Sequence, residues 1–312
     1  MLEMIWLEPL FAVEVLVSGL LSGIMYSLVA LGFALIFKAS GIFNFAQGAF
    51  VLFAALTFVS FLETALFGEG SWVFFALCVI GALAVMIGYG IAVERIVLRP
   101  LVNQPLIILF MATIGLNYFT EGFAQSLWGA QVHPLDLGIP DVPWQEFGEA
   151  TGIYLTVFEL VAAGIAGVLV IALALFFSKT RTGRALRAVS DDHQAAMSVG
   201  IPLQHIWAVT WSVAGIIALV AGMLWGAKLG VQFSLSLLAL KALPVLIIGG
   251  FDSITGAIVG GLIIGAGEKL AEVFIGSYFG GAIENWFPYL LATAFLLFRP
   301  QGLFGEKIIE RV

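Results

Sequence analysis

The charges of this 312-residue chain are spaced so widely that they act as a ruler for its helices. Twenty-three uncharged residues lie between Glu14 and Lys38, 24 between Lys38 and Glu63, and 24 between Glu69 and Glu94. Arg99 to Glu121 encloses 21, Glu159 to Lys179 encloses 19, and the stretch Pro202–Ala227 holds 26. A bilayer core of roughly 30 Å is crossed by about 20 residues of helix, so six spans follow directly. Backbone groups cannot go unpaired in hydrocarbon, so each span is a helix or belongs to a closed barrel. Barrel strands alternate over about ten residues, and these runs are continuous. The chain is 61% hydrophobic and 11% charged, against about 25% charged in soluble domains. Lipid is the solvent that fits, and the expected fold is an all-α polytopic membrane protein forming one transmembrane domain over residues 1–312.

The last third is less regular. Lys241, Asp252, Glu268 and Glu284 divide it into a short segment near 235–249, a longer one near 254–271 and a final one near 283–298. The first is too short for an ordinary span and reads as tilted, broken or re-entrant, which is tolerated where other helices cover it. The total comes to eight or nine segments. Lys241 stands alone at membrane depth, with snorkelling, pairing with Glu268 or Glu272, and contact with a partner chain all open to it.

Basic residues in short loops mark the cytoplasmic side. Lys38, Arg95, Arg99, Lys179, Arg181, Arg184, Arg187, Arg299, Lys307 and Arg311 fall in loops that share one side. The opposing loops carry Glu63, Glu69 and the acids of segment 129–152, which has no Lys or Arg. The N-terminus is therefore expected outside and the C-terminus inside. Before Lys38 there are acids and no basic residue, the wrong flank for a cleaved signal peptide. The net charge of −7 argues against nucleic acid. Cys78 is the lone cysteine, so no disulfide is expected.

A repeat lies within the chain. Phe43-Asn44-Phe45-Ala46-Gln47-Gly48-Ala49-Phe50-Val51 aligns with Phe251-Asp252-Ser253-Ile254-Thr255-Gly256-Ala257-Ile258-Val259. Both stretches follow a glycine-containing break and open a helix, with Asn44 and Asp252 expected as N-caps. The match reads as an internal duplication, a recurring transporter feature with broken helices near the pathway, with convergent capping chemistry on an apolar background as the alternative. Thr113, Asn117, Glu121 and Gln125 recur every four residues and form one stripe on a helix. This stripe is either a polar wall of a path or interhelical hydrogen bonding. Asn44 and Gln47 compete for a place at the inner mouth, with capping as their alternative role.

The largest loop of the basic side, 178–202, places Lys179, Arg181, Arg184 and Arg187 ahead of a short helix. Ser190 or Asp191 is the expected cap, Ala195 and Ala196 favour the helix, and Gly200-Ile201-Pro202 ends it. Within it, Gln194-Ala195-Ala196-Met197-Ser198-Val199-Gly200 resembles the Glu-Ala-Ala-x-x-x-Gly coupling motif of bacterial ABC importer permeases, with Gln in place of Glu. Gly19–Gly32, Phe43–Gly48, Thr180–Ala188 and Arg299–Gly305 are similar to the LivH family of branched-chain amino-acid permeases. Urea and short-chain amide permeases look alike at these motifs.

The resemblance implies a permease of the bacterial inner membrane that pairs with a second, homologous permease. Two ABC ATPases would dock below, and a periplasmic binding protein would deliver substrate above. Arg184, Arg187, Asp191, Gln194, Ala195, Ala196 and Gly200 would then couple the chain to the ATPases. No cofactor is expected in this chain, with ATP and magnesium held by the partners. Gly265-Ala-Gly-Glu-Lys269 lacks the spacing and the Ser/Thr of a phosphate-binding loop, so an ATPase activity is not expected here. A secondary transporter, the rival class, would show paired acids or a proton relay at mid-membrane. The acids instead are read as clustering near helix ends.

Overall fold

The computed structural model describes residues 9–64, 72–102, 104–191 and 193–305, and the side chains of 191–194 lie outside that description. Among the orientation markers, Glu69, Lys307 and Arg311 lie outside the described residues. Twelve α-helices follow one another in the described residues: α1 Pro9–Ser40, α2 Gln47–Glu63, α3 Trp72–Val93, α4 Leu106–Trp128, α5 Gln145–Thr151 and α6 Val157–Lys179, then α7 Arg181–Asp191, α8 His193–Ser198, α9 Leu203–Leu229, α10 Leu238–Gly249, α11 Ile254–Phe279 and α12 Phe287–Phe298. A π-turn at Glu94–Leu98 and a 3₁₀ turn at Arg99–Leu101 prolong α3. No strand occurs among the described residues, whose bridges are isolated ones at His133–Val231 and Pro143–Thr156.

Five helices are long and apolar enough to cross a membrane, and the bent pair Phe233–Gly249 with Ile254–Phe279 makes a sixth candidate. The bend is 113°. The short segment expected near 235–249 is therefore one arm of a broken helix, α10, and Pro244 within it removes one ladder hydrogen bond. Two shorter apolar helices, α2 and α12, do not reach full span length, so the described residues hold five or six candidate spans against the eight or nine expected. At about 1.5 Å per residue, the 17 residues of α2 reach only about 25 Å. Every residue from Gln47 to Val59 is buried, so protein rather than lipid sets the length of α2. By contrast, α3, α4 and α6 bury only about a quarter to a third of their apolar windows. Val168 and Ile171 on α6 are 70% and 61% exposed, an apolar face suited to lipid.

The chain divides into two compact units, one containing Met1–Ala30, Gly138–Val170 and Lys241–Val312, the other Leu31–Leu137 and Ile171–Leu240. In the second, α9 packs along α2 and α3. Trp211 of α9 is buried edge-on to Phe50 of α2, and the Trp207 indole donates to Ala39 O at 3.2 Å. In the first, the glycine seam of α1 and α11 sets the packing. A Cβ on Gly23 or Gly265 would strike the facing backbone, and Ser27 Oγ lies 3.1 Å from Ile258 O. With no side chain between them, the helices gain backbone-level contact, the usual source of association within lipid.

Candidate functional site

Three places carry polar chemistry at depth, beginning with the break between α1 and α2. The chain leaves α1 through Gly41, whose φ of +66° suits glycine. Asn44 Oδ1 then accepts from Ala46 N at 3.1 Å, and Asn44 Nδ2 donates to Gln47 Oε1 at 3.3 Å. Thr113 of α4 accepts from Phe45 N at 3.2 Å, and its hydroxyl lies 3.2 Å from Phe43 O and 2.9 Å from Phe110 O. Thr113, Asn44 and Gln47 are all fully buried. The structure thus brings these three expected pathway residues together: Asn44 and Thr113 satisfy the backbone of the break, and Gln47 accepts from the Asn44 side chain. Asn44 does not cap α2, whose N-cap is Ala46 without a side-chain bond. Its side chain turns back on the loop instead, because Ala46 N is nearer than the free N–H groups of the helix. Asn117 and Glu121 lie half-buried farther along α4, and Gln125 is exposed.

The second break, 250–253, opens α11. The expected cap Asp252 is displaced by Ser253, whose hydroxyl accepts from Gly256 N at 2.9 Å. Gly48 and its counterpart Gly256 both sit where a Cβ would strike backbone, at Ser236 and Gly249 respectively. On the arms of this break lies the main charged pair of the interior. Lys241 Nζ of α10 is 3.2 Å from Glu268 Oε1 of α11, and the Tyr26 hydroxyl of α1 donates to the same oxygen at 3.0 Å. Lys241 Nζ also stands 5.9 Å from the centre of the Tyr26 ring. Glu268 is 3% exposed and lies midway along α11, which corrects the expectation that the acids cluster at helix ends. Its paired base distinguishes it from the acid–acid pair of a proton relay. Glu272, the other candidate partner of Lys241, instead accepts from the backbone N–H of Ala282 and Glu284 at 3.0 Å each.

The third place is the 178–202 segment. Helix begins earlier than expected here: Thr180 Oγ1 accepts from Gly183 N at 3.0 Å and α7 starts at Arg181, with α8 on the far side of residue 192, which lies outside the described residues. Ser190 lies inside α7 and cannot cap α8, and the side chains of Asp191 and Gln194 lie outside the described residues. Leu186 and Val189 turn inward from α7 while Arg181, Arg184 and Arg187 are exposed. Arg187 donates to Phe177 O at 2.8 Å and Arg184 to Lys179 O at 3.2 Å. Both guanidinium groups thereby take carbonyls at the C-terminus of α6, a favourable place for a cation. Ala196 of α8 is buried, and Gly200 ends the turn with φ +85°. Met197 and Val199 are 48% and 76% exposed. Beside them opens a cavity of about 420 Å³ lined by Arg99, Met197, Gly200, Pro202, Gln204 and Trp207 among others.

Two features escaped the reading of the sequence. Glu94 is buried and grips Arg99 through two hydrogen bonds, Nε to Oε1 at 3.1 Å and Nη2 to Oε2 at 2.9 Å, across the π-turn. Tyr26 is the other. Nothing in a run of apolar residues marks one tyrosine as a donor to a carboxylate 242 positions away. Only the five-residue spacing of Glu94 and Arg99 offered a hint.

The family described as the branched-chain amino acid transport system permease component matches residues 15–299. The chain belongs to that family. Relatives of this permease extend over nearly its full length. It is 27% identical over 311 residues to the high-affinity branched-chain amino acid transport system permease protein LivH of Salmonella typhimurium, covering 97% of this chain and 98% of that one. It is 29% identical over 303 residues to the corresponding BraD protein of Pseudomonas aeruginosa, covering 95% and 97%. A probable branched-chain amino acid transport permease protein LivH of Methanocaldococcus jannaschii is 27% identical over 293 residues, covering 89% and 88%. Family and apolar helices together make this a multi-pass inner-membrane permease that works with other transport components.

Proposed function

We propose that this chain, as one transmembrane permease domain, is the membrane-spanning subunit of a binding-protein-dependent ABC importer for branched-chain amino acids. The observation that carries the reading is the family match over residues 15–299, joined by an exposed apolar helix end at Met197 and Val199 beside a cavity. Apolar side chains on a helix outside the bilayer are a surface awaiting a partner. In this reading α8 contacts a separate ATPase, the N-terminus lies outside and the C-terminus in the cytoplasm. A second, homologous permease completes the channel, two ATPases supply ATP and magnesium chemistry, and a periplasmic binding protein delivers substrate. Asn117 and Glu121 of α4 form the polar side of the path, and Thr113, Asn44 and Gln47 hold the first break fixed beside it. Asp191, Gln194, Ala195 and Gly200 belong to the coupling segment, with Ala196 packed beneath it, and Arg184 and Arg187 hold α7 against the end of α6. ATP-driven movement passes through α8 as a rigid-body shift of packed helices.

Purification of the tagged chain from its native membrane, followed by mass spectrometry, tests this composition. The expected result is a second related permease and ATPase subunits in the same complex. A chain that purifies alone, with uptake that survives ATP depletion and stops with an ionophore, would assign it to the gradient-driven transporters. Within the complex, Gly200→Glu is expected to leave insertion intact and to separate ATP hydrolysis from uptake. Unchanged coupling in that variant would remove α8 from the ATPase interface.

A further inference from the structure

The Lys241–Glu268 pair has an asymmetry that packing alone does not explain. Oε1 of Glu268 receives two donors, Lys241 Nζ and the Tyr26 hydroxyl, while Oε2 is buried and has no hydrogen-bond partner. An ionised carboxylate can accept at both oxygens. Leaving one unmet away from water costs about 1–3 kcal/mol, and more for a charged group. A buried ion pair is itself a weak source of stability, because apolar residues of similar volume often do as well. The pair therefore calls for a role in which charge is used.

Access to the pair is one-sided. The seam of α1 and α11 is closed by Gly19, Gly23, Gly261 and Gly265, where a Cβ would already collide with backbone. Glu268 has 4% of its side chain exposed, whereas Lys241 has 22%. Lysine carries its charge on a flexible four-carbon stem, so it can swing away from Glu268 without disturbing the seam. An amino acid presents a complementary pair, an α-ammonium and an α-carboxylate, and these charges are what a membrane interior rejects most strongly.

We propose that Lys241 and Glu268 form a zwitterion-exchange site on the broken helix pair. An α-amino acid in transit gives its carboxylate to Lys241 and its ammonium to the unpartnered Oε2 of Glu268, while Tyr26 holds Oε1. Two ion pairs replace one, no proton moves and no covalent bond changes. The apolar side chain of the substrate stays on the open Lys241 flank. This site rests on the reading that the substrate is an α-amino acid.

The test uses the complete transporter complex in proteoliposomes. K241M/E268Q removes both charges together and so avoids stranding one of them. It is expected to assemble with basal ATP hydrolysis like that of the wild type, while uptake of leucine, isoleucine and valine falls by about tenfold or more, the loss expected from removing hydrogen bonds to charged groups. Wild-type uptake by this variant would overturn the site and leave the amino-acid reading standing. A wild-type complex that imports none of the three would overturn that reading and the site with it. Should the double variant fail to assemble, a diazirine analogue of leucine is photolysed during turnover of the wild-type complex. Adducts on the peptides around Lys241 and Glu268 are the expected result, and adducts confined to other segments would overturn the site.

Discussion

The two helix breaks align in sequence but solve the same physical problem differently. At the first, before α2, the interrupted backbone is satisfied by neutral groups: Asn44 and Thr113 bond to the loop, and all polar side chains are fully buried. At the second, before α11, Ser253 caps the helix locally. There the polar investment lies farther along the arms, as a charged pair of Lys241 and Glu268 with Tyr26. A neutral cluster sealed from solvent suits a fixed corner, since amides and hydroxyls pair without the desolvation penalty of ions. A charged pair with one carboxylate oxygen unmet and one partner part-exposed suits a place where partners are exchanged. The aligned glycines, Gly48 and Gly256, remain common to both because each break folds backbone against backbone.

This contrast can be broken by substitution. The largest effect is expected from E268A, which leaves the Lys241 ammonium without its acid and should destabilise the assembled protein by about 3 kcal/mol, read from thermal unfolding in detergent. A loss below about 1 kcal/mol would show that the pair is already solvated like a surface bridge. Next comes N44A, which strips the acceptor from Ala46 N and should cost about 2 kcal/mol. T113V should cost about 1 kcal/mol by removing the acceptor of Phe45 N. Uptake per assembled complex should persist in both variants if the first break is a fixed corner. The smallest effect is expected from Q47L. Q47L takes the acceptor from Asn44 Nδ2 but also removes the enclosed, unpartnered Nε2, so the two terms offset and stability should shift by less than about 1 kcal/mol in either direction. A loss as large as that of N44A would mean that the Gln47 acceptor, not Asn44, organises the corner.

The sequence made much of this legible. Charge-free runs located α1, α3, α4, α6 and α9, since hydrocarbon excludes charge and requires helix over the same length. The interruption near 235–249 was legible for the same reason, because Lys241 and Asp252 lie too close together for a full span. What escaped was chemistry that depends on three-dimensional approach. Glu268 and Glu272 lie one turn apart, so spacing could not decide which one meets Lys241, whereas the fold gives Glu272 to the turn at Ala282 and Glu284. Asn44 and Asp252 had the right residue type for caps, yet the positions of the helix starts left neither in that role. The early start of α7 followed from Thr180, whose hydroxyl takes Gly183 N about three turns ahead of the expected caps Ser190 and Asp191. The exposed end of α8 was legible as a motif, but its neighbouring cavity, to which Arg99 and Trp207 contribute from distant positions, was not.

The central claim is import of branched-chain amino acids powered by ATP on partner chains. Its most direct measurement is uptake of radiolabelled leucine by the purified complex in proteoliposomes, with binding protein outside and ATP with magnesium inside. Uptake that requires ATP, continues with an ionophore present and is competed by isoleucine and valine is the predicted result. Leucine uptake that proceeds without ATP and collapses with the ion gradient would contradict it.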